Sequence, residues 1–481
     1  MCEGRPTLAT QKCGFRRTLG AARLALVPTQ FHALAFEGPD PYARAGGIAS
    51  RIGDLAREVA LAGHESHLWF VGDPRLASRE LRDGVELHRW CQWISAHHPA
   101  GVYDGEEGKR RDYSRSLPPA LVDPRCVRSL EQGGRAVFLA EEWHTAEAVL
   151  HLDARLREAR VRDRACLFWN ANNLFGFDRI DWPSLARAAT ITTVSRYMKH
   201  RMAALGIDAV AIPNGVADEA FEAPDPPAVA QFRARLAGRL VLAKMARFDP
   251  DKRWLLAVEI AAESKRRGLR PLLVARGGLE AHGSEVLAHA DRLGLRVADR
   301  KLARPGTEGL IDALADLDDV DLVHVRSNVD PRARRLLFAG ADAVLAQSAH
   351  EPFGLVGLET MAVGGLAVTG CTGEEYADPG HSAIVLQSSD PAEFLAAFLE
   401  LRRRPARMAA LRRRGRSTAR RFRWREILRL HLFPRVALVG GASFAAGLST
   451  RPRSPGPSIE ASPRRSRSAA EPHPMRLVAS T

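Results

Sequence analysis

Along the chain, short apolar runs alternate with longer segments in which apolar residues recur every three or four positions. Runs such as 136–139 and 240–243 are apolar and partly β-branched, a pattern that predicts buried strands. Amphipathic segments such as 48–62 and 254–266 predict helices. Strands separated by helical segments are typical of parallel sheets with helices on both faces. The pattern therefore predicts an α/β fold.

This alternation occurs in two successive sets with a break between them. The break is the sequence Ile212-Pro213-Asn214-Gly215-Val216, which continues into the proline-rich residues 223–227. Each set is long enough for one Rossmann-like domain, so two domains joined by a linker are predicted. The predicted strands lie at 24–28, 67–71, 136–139, 165–169 and 190–194 in the first set, and at 240–243, 271–275, 320–325 and 343–346 in the second.

The length agrees with this division, since 481 residues exceed one typical domain of about 150 residues several times over. The predicted segments are, in order, an irregular N-terminus, an N-terminal domain, a linker, a C-terminal domain, a C-terminal helix and a disordered basic tail, at residues 1–20, 21–213, 214–235, 236–405, 406–433 and 434–481.

Composition excludes several classes of protein. No stretch reaches the roughly 18 apolar residues of a membrane-spanning helix, and no continuous apolar segment of a secretory signal is visible. The six cysteines are scattered without a CxxC pair or a Cys/His cluster, so neither a metal site nor a disulfide framework is predicted. A cytoplasmic protein without a bound metal or other cofactor is expected.

The formal charge of +14 belongs to one end of the chain. With 20 arginines and three acids, residues 402–481 carry +17, which leaves −3 for the remainder. A basic tail can bind nucleic acid, but this one lacks interleaved aromatic residues and any recognition motif. Specific nucleic-acid binding is therefore not predicted.

The most informative stretch is residues 350–365. Glu351 and Glu359 stand eight positions apart, separated by the small-residue turn Pro352-Phe353-Gly354-Leu355. The buried strand predicted upstream, at 343–346, gives the order strand, carboxylate, glycine loop, helix. Loop amides and a helix N-terminus bind phosphate or another electron-rich group, and a carboxylate two turns into the helix can accept hydrogen bonds from sugar hydroxyls.

Two further features suit a phosphate-bearing ligand. Arg44-Ala45-Gly46-Gly47 lies between the first predicted strand and helix, where glycines let the backbone approach a phosphate closely. Arg247 and Lys252 follow the first strand of the second set, where a fixed pair of cations stabilises negative charge on a leaving diphosphate. Taken singly, a glycine turn and solvated loop charges explain each feature equally well.

In this order along the chain, these features resemble the retaining glycosyltransferases of family 4, which include bacterial glycogen and starch synthases. The two glutamates match the E-x7-E signature, and Arg44–Gly47 is similar to the K-x-G-G loop with arginine for lysine. The crossing sequence at 212–216 and the loop Thr372-Gly373-Glu374 are also similar to those of the family. The resemblance covers roughly residues 21–432.

The resemblance implies a GT-B fold, in which the two domains face each other across a cleft and the C-terminal helix packs back across them. It implies transfer of a hexose, with glucose favoured, from a nucleotide sugar to a carbohydrate acceptor, with retention of configuration and without a metal. The catalytic residues that it implies are Glu351, Glu141, Arg247 and Lys252. The donor-binding residues that it implies are Arg44, Gly46, Gly47, Phe353, Gly354, Leu355, Glu359, Thr372 and Gly373.

One departure from the family concerns the acceptor side. Glycogen synthases carry His-Asp-Trp at the end of a strand of the N-terminal domain, whereas this chain has Glu141-Glu142-Trp143. Asn173 alone matches the His-Asn of the next strand end. A carboxylate hydrogen-bonds a sugar hydroxyl as an imidazole does, and Glu141 would offset positive charge at the anomeric carbon. Sugar transfer is thus better supported than glucan synthesis.

Two other functions are compatible with parts of the pattern. A non-catalytic GT-B protein would bind sugar nucleotide or glycan as a scaffold, but the presence of all four residues Arg247, Lys252, Glu351 and Glu359 favours catalysis. Epimerisation of a sugar phosphate on the same fold fits less well, because such enzymes lack the E-x7-E loop. Release of nucleotide from a nucleotide sugar distinguishes these alternatives.

Overall fold

A computed structural model describes residues 29–441 together with Phe444 and Leu448. The strand predicted at 24–28, the irregular N-terminus predicted at 1–20 and most of the predicted tail, 449–481, lie outside the described residues. Within them, two α/β domains each contain one sheet with helices on both faces. The predicted fold class is confirmed.

The N-terminal domain contains an eight-stranded sheet in the order β3-β4-β2-β1-β5-β6-β7-β8, in which every pairing except β3–β4 is parallel. Its strands are β1 (Thr29–Leu34), β2 (Glu65–Val71), β3 (Arg79–Arg82), β4 (Val85–Trp90), β5 (Arg135–Glu141), β6 (Ala165–Ala171), β7 (Thr190–Thr193) and β8 (Val210–Ala211). Its helices are α1 (Gly47–Leu61), α2 (Gln92–Ser95), α3 (Glu106–Leu121), α4 (Pro124–Glu131), α5 (Ala146–Glu158), α6 (Trp182–Ala188) and α7 (Arg196–Ala203).

The C-terminal domain contains a seven-stranded parallel sheet in the order β11-β12-β10-β9-β13-β14-β15. Its strands are β9 (Leu240–Met245), β10 (Pro271–Arg276), β11 (Val297–Arg300), β12 (Leu322–Val325), β13 (Ala343–Leu345), β14 (Ala367–Thr369) and β15 (Ile384–Val385). Its helices are α8 (Pro226–Arg235), α9 (Trp254–Arg266), α10 (His282–Arg292), α11 (Gly306–Ala313), α12 (Pro331–Gly340), α13 (Leu355–Ala362), α14 (Pro391–Arg402) and α15 (Pro405–Arg420).

The linker predicted at 214–235 is only partly a linker. It contains α8, and the side chain of Phe232 on this helix is 1% exposed in the core of the C-terminal domain. Burial of a phenylalanine side chain contributes on the order of 2–3 kcal/mol, so the helix is fixed to that domain. The residues free to connect the domains are therefore those that precede Pro226.

After α15 the chain crosses back to the N-terminal domain through α16 (Trp424–Ile427), a π-helical segment (Leu428–Leu432) and α17 (Phe433–Gly440). Trp424, Ile427, Leu428 and Val436 pack with residues of the N-terminal sheet in one buried cluster. The prediction that the chain is disordered from residue 434 onward is therefore wrong for residues 434–440. This helix forms because Val436 supplies an apolar side chain that is fully buried there.

No helix in the described part of the chain has the length and apolar character needed to cross a membrane. The apolar segment that begins near Val436 is used instead for packing. Its helix, α17, contacts β6, and the Cys166 thiol of that strand lies 3.8 Å from the Val436 carbonyl oxygen.

Candidate functional site

The predicted donor residues of the C-terminal domain follow the carboxyl ends of neighbouring strands. Lys252 comes after β9, Glu351 after β13 and Thr372 after β14, and these three strands are adjacent in the sheet. Loops that follow adjacent parallel strands meet at one edge, which is where open α/β sheets bind ligands. The topology thus gathers residues that are distant in sequence.

Lys252 and Glu351 form an ion pair at this edge. The Lys252 Nζ donates to Glu351 Oε2 over 2.7 Å, and the Ser348 hydroxyl donates to the same oxygen over 2.8 Å. The two charged side chains are 23% and 15% exposed, so both remain accessible at a partly desolvated surface. Such a pair presents a positioned ammonium group to a ligand, and the carboxylate keeps that group in place.

A second loop fixes the backbone around Glu351. The Thr372 hydroxyl accepts a hydrogen bond from the Glu351 amide at 2.9 Å, and the Gly373 amide donates to the Glu351 carbonyl at 2.8 Å. A Cβ atom at Gly373 would collide with the carbonyl oxygens of Glu351 and Pro352. Glycine is therefore required where the two loops approach each other this closely. Thr372 and Gly373, both predicted site residues, bond to the main chain of Glu351.

Glu374 completes this loop and was not among the predicted site residues. Its carboxylate accepts hydrogen bonds from the amides of Gly370 and Thr372. Burial, reinforced by the charge of nearby Glu351, raises the pKa of Glu374 to about 7. The position of the acid directly after Thr372-Gly373 was visible in the sequence, but its burial was not.

The turn before α13 has the geometry predicted for it. Gly354 has a φ of 84°, a left-handed conformation that favours glycine, and its carbonyl accepts a hydrogen bond from the Tyr376 hydroxyl. Leu355 opens the helix. Phe353 is 4% exposed and packs near Tyr376 and Phe422, so its side chain belongs to the core and only its backbone is available to a ligand.

Glu359 lies on α13 and is 20% exposed, with Arg334 Nη2 at 3.4 Å from its Oε1. The opposite domain comes close here. Burial raises the pKa of Asp54 on α1 to about 6, opposed by Arg57 and increased further by the charge of Glu359. The carboxyl group of Asp54 in the N-terminal domain thus lies near Glu359, the predicted ribose-binding residue.

Strand β9 and the loop after it supply two more basic residues, Lys244 and Arg247. Arg247 is exposed, and its carbonyl accepts a hydrogen bond from the Trp254 indole. Lys244 is 1% exposed and donates to the carbonyls of Leu345 and Gln347. Burial and the positive charge of Lys252 lower the pKa of Lys244 to about 7.

The glycine loop of the N-terminal domain carries its own anion. The amides of Ala45 and Gly46 donate to Glu37 Oε2 at 3.3 and 2.9 Å, and the Tyr103 hydroxyl donates to Glu37 Oε1 at 2.7 Å. Arg44 and Gly47 are exposed. The loop at the start of α1 was predicted to approach a ligand phosphate, and in this structure two of its amides donate to a carboxylate of the same domain.

Glu141 differs from its predicted arrangement. Its side chain is 2% exposed. Its Oε1 is bonded to Arg51 at 2.5 Å, and its Oε2 accepts hydrogen bonds from the side-chain amides of Asn170 and Asn172 at 2.9 and 2.8 Å. A buried carboxylate needs such partners, since an unpaired charge there is costly. Every oxygen of Glu141 is thus engaged within the domain, and the structure does not present it to the cleft as a free carboxylate.

The next residue, Glu142, has a φ of 66°, and its carboxylate bonds to a different set of groups. It accepts hydrogen bonds from the Asn172 amide and from the Asn173 side chain at 2.8 and 3.2 Å. Burial, with contributions from Glu141 and Glu37, raises the pKa of Glu142 to about 8, although hydrogen bonding from Asn172 opposes the shift. Two successive acids at a strand end were a visible signal, but the sequence could not tell which one carries the perturbed pKa.

Comparison with known proteins relates one segment of the chain to a family and the whole fold to solved structures. Residues 270–404 match the family model described as Glycosyl transferases group 1. A D-inositol 3-phosphate glycosyltransferase from Thermobispora bispora is 25% identical over 402 residues, which cover 79% of this chain and 87% of that protein.

Two solved structures show the same fold. The catalytic domain of starch synthase IV from Arabidopsis thaliana, bound to ADP and acarbose, has a TM-score of 0.62 and 14% identity, and covers 87% of this chain and 100% of its own. The Anabaena protein HepE in complex with UDP-glucose has a TM-score of 0.55 and 14% identity, with 83% and 97% covered. The matched segment, the relative and the fold together support a transferase enzyme, a GT-B glycosyltransferase similar to those of family 4.

Proposed function

We propose that this protein transfers a hexose, with glucose favoured, from a nucleotide sugar to a carbohydrate acceptor with retention of configuration. The observation that carries the proposal is the 2.7 Å ion pair between Lys252 and Glu351 at the edge of the C-terminal sheet, beside exposed Arg247. This arrangement offers two cations to a diphosphate and a carboxylate to a sugar.

In this proposal, the donor lies on the C-terminal domain. Arg247 and Lys252 neutralise the charge that develops on the departing nucleotide, so the donor chemistry needs no metal. The amides at the start of α13, around Gly354 and Leu355, face the phosphates, and Glu359 accepts hydrogen bonds from the ribose. Glu351 contacts the hydroxyls of the transferred sugar and, in the absence of ligand, is held by Lys252.

The nucleotide sugar is favoured by what similar proteins bind. HepE was solved with UDP-glucose, and starch synthase IV with ADP and acarbose. UDP-glucose and ADP each contain a nucleoside diphosphate, which suits the cation pair of the proposed donor site. Sugars linked to UDP or ADP are therefore the first donor candidates.

A neutral acceptor suits the N-terminal side better than a phosphorylated one. Glu37, Glu141 and Glu142 are all buried at the ends of its strands, whereas the guanidinium of Arg51 is already bonded to Glu141. A phosphate placed beside the carboxylates of Glu37 and Glu141 would meet repulsion that sugar hydroxyls would not. A carbohydrate acceptor is accordingly proposed.

Retention is supported by the state of the same acids. Direct inversion would need a general base near the acceptor hydroxyl. Glu141 is bonded to Arg51, and the pKa of Glu142 is raised to about 8, so that group is mainly protonated near neutral pH. Neither carboxyl group is suited to act as that base.

The experiment is a screen for nucleotide release with UDP-, ADP- and GDP-sugars and maltooligosaccharide acceptors, followed by proton NMR of the product. The proposal expects release with at least one donor and a product whose new linkage keeps the donor's anomeric configuration. Nucleotide-sugar binding without release would instead identify the non-catalytic scaffold. An inverted linkage would contradict the retaining mechanism while leaving transfer intact.

A further inference from the structure

A cluster of two histidines and one glutamate lies on the N-terminal sheet, away from the donor site. His67 is the third residue of β2, and Glu86 and His88 are the second and fourth residues of β4. The strands are parallel neighbours, with His67 in register with Glu86. Because alternate residues of a strand share a face, the three side chains project from the same side of the sheet.

The three potential ligand atoms converge closely. His67 Nδ1 lies 3.2 Å from His88 Nε2 and 3.3 Å from Glu86 Oε2, and His88 Nε2 lies 3.7 Å from Glu86 Oε1. Zinc bonds to nitrogen and oxygen at about 2.0–2.1 Å in tetrahedral sites, which separates adjacent ligands by about 3.3–3.4 Å. The two separations from His67 Nδ1 are close to this spacing, and each of the three side chains offers one ligand atom within 4.8 Å of the others.

Both imidazole rings are held in place by stacking. The His88 ring lies over the Trp69 ring with centroids 3.6 Å apart and an interplanar angle of 4°. The His67 ring stacks on His32 at 4.6 Å and 11°. Ligands fixed in this way on adjacent strands are preorganised, since little side-chain freedom is lost when an ion binds.

The cluster also has chemistry and access suited to a cation. The side chains of His88, His67 and Glu86 are 5%, 17% and 39% exposed, so the site is closed on one side and open to solvent on the other. Among the described residues, His88 Nδ1 is buried without a hydrogen-bond partner. When His88 Nε2 binds a metal, its Nδ1 carries the proton. The hydrogen bond between the two rings is then replaced by bonds to the metal, which requires a tautomer change in one of the rings.

We propose that His67, Glu86 and His88 form a binding site for a divalent transition metal, with Zn²⁺ the best fit and water as the fourth ligand. Arg79, which is exposed and lies opposite His88 in the β3–β4 pair, is a nearby cation that weighs against this. The ion would join β4 to β2 in the N-terminal sheet, whereas the proposed donor site lies at the carboxyl ends of strands of the C-terminal sheet. Its role is therefore structural and independent of sugar transfer.

The sequence did not reveal this site because its ligands come from two strands. The Glu86-x-His88 spacing gives two ligands on one face of a strand, but His67 joins them only through the parallel pairing of β2 with β4. A spacing rule for a single segment finds two ligands, which is too few to predict a metal centre.

The test uses the full chain, stripped with EDTA and then titrated with ZnCl₂ or CoCl₂. Wild-type protein is expected to bind one more equivalent of zinc than His67→Gln or Glu86→Gln, with at least about tenfold weaker zinc binding at the site in both variants. Cobalt in the wild type should show the visible absorption of a tetrahedral ion, and the melting temperature should rise on zinc addition.

A matched control is His289→Gln, which removes a different histidine that pairs with a glutamate, Glu259, at 3.2 Å on the surface of the C-terminal domain. This variant should bind zinc as the wild type does. Glu86 is 39% exposed, so its glutamine variant is expected to fold, which circular dichroism checks. Equal zinc stoichiometry, equal affinity and the same cobalt spectrum in wild type and both ligand variants would overturn the proposal.

Discussion

Lys252 and Glu351 are 99 residues apart in sequence and form an ion pair in the folded chain. Each keeps part of its charged group exposed, which structural ion pairs in a core do not need. The ion pair is therefore both a contact of the folded chain and part of the proposed donor site. Single substitutions test the contribution of each of its two residues.

Replacing Lys252 with alanine should lower kcat/KM by an amount that corresponds to roughly 2–4 kcal/mol, the cost of removing one preorganised group that stabilises developing charge. Steady-state kinetics with the donor found in the screen measure the effect. Lys199→Ala is a suitable control, because Lys199 is 43% exposed and only loosely paired with Asp208 at 3.8 Å. A loss of similar size in both variants would contradict the role of Lys252.

Glu359→Ala should weaken donor binding, whereas Glu351→Gln should mainly lower kcat. The physical reason is that ribose contacts are made equally in the ground and transition states, while contacts with the reacting sugar strengthen as charge develops. Calorimetric donor binding and turnover at saturating donor distinguish the two effects. Unchanged rates in both variants at saturating donor would show that the motif is not the donor site.

The raised pKa of Glu142 gives a stability prediction with a definite sign. Between its ordinary value of 4.5 and its folded value of about 8, the unfolded chain loses this proton while the folded chain keeps it. Folding stability therefore falls as the pH rises through this window. Glu142→Gln removes that loss, so its melting temperature should increase relative to wild type from about pH 5 to about pH 8.

Melting curves at several pH values measure this difference. The control is Glu158→Gln, which removes a glutamate that is 68% exposed. A difference between Glu142→Gln and wild type that stays constant over the whole pH range would show that Glu142 titrates normally.

The residues of the proposed donor site could be picked out from the sequence because each lies within a local motif next to a strand. Lys252 and Glu351 follow strands whose apolar runs were recognisable, and parallel topology brings such loops together. Glu141 was not predictable in the same way. Its environment depends on Arg51, which is 90 residues away on α1, and no local pattern announces that partner.

At the level of elements, long periodic helices and apolar strands matched the prediction well, as α9 at Trp254–Arg266 shows. The first described strand did not. Thr29–Leu34 was not among the predicted strands; Gln30 and His32 interrupt its apolar residues, yet His32 is buried between neighbouring strands. The β3–β4 hairpin was missed although Asp83 and Gly84, both with positive φ, form its turn.

The C-terminal segment yields an element-level prediction. Truncation after Ser449 should leave the melting temperature and nucleotide-sugar turnover nearly unchanged. Truncation before Met408 should sharply reduce solubility, because it removes Trp424, Ile427 and Val436, which are at most 2% exposed in the N-terminal core. Thermal melts and turnover of the two truncated chains test this. Loss of catalysis in the longer chain would place the arginine-rich end in the acceptor site.

On the scale of the whole molecule, the two domains are joined by contacts on both sides of the proposed cleft. Arg57 on α1 bonds Glu219 in the connection, and Arg196 on α7 donates to Glu375 of the C-terminal domain at 2.8 Å. The returning helices α16 and α17 add apolar contacts. In the proposed mechanism, closure of the cleft on a donor would exclude water as a competing acceptor.

Sugar transfer should survive chelation, because Arg247 and Lys252 take the diphosphate charge in the proposed mechanism. Turnover at a temperature well below the melting transition should be the same before and after EDTA treatment. The proposed zinc site predicts a lower melting temperature after that treatment, so stability and activity respond differently. Complete loss of turnover, restored by magnesium or manganese, would contradict the metal-free donor site.

The central claim is that the edge formed by Lys252 and Glu351 transfers sugar from a nucleotide sugar. The most direct test is nucleotide release by the wild type and by Lys252→Ala at equal concentration, with the best donor of the UDP, ADP and GDP series. The account predicts steady release by the wild type and a decrease of roughly 30-fold to 1,000-fold in the variant. Release at equal rates by both proteins, or by neither, would contradict it.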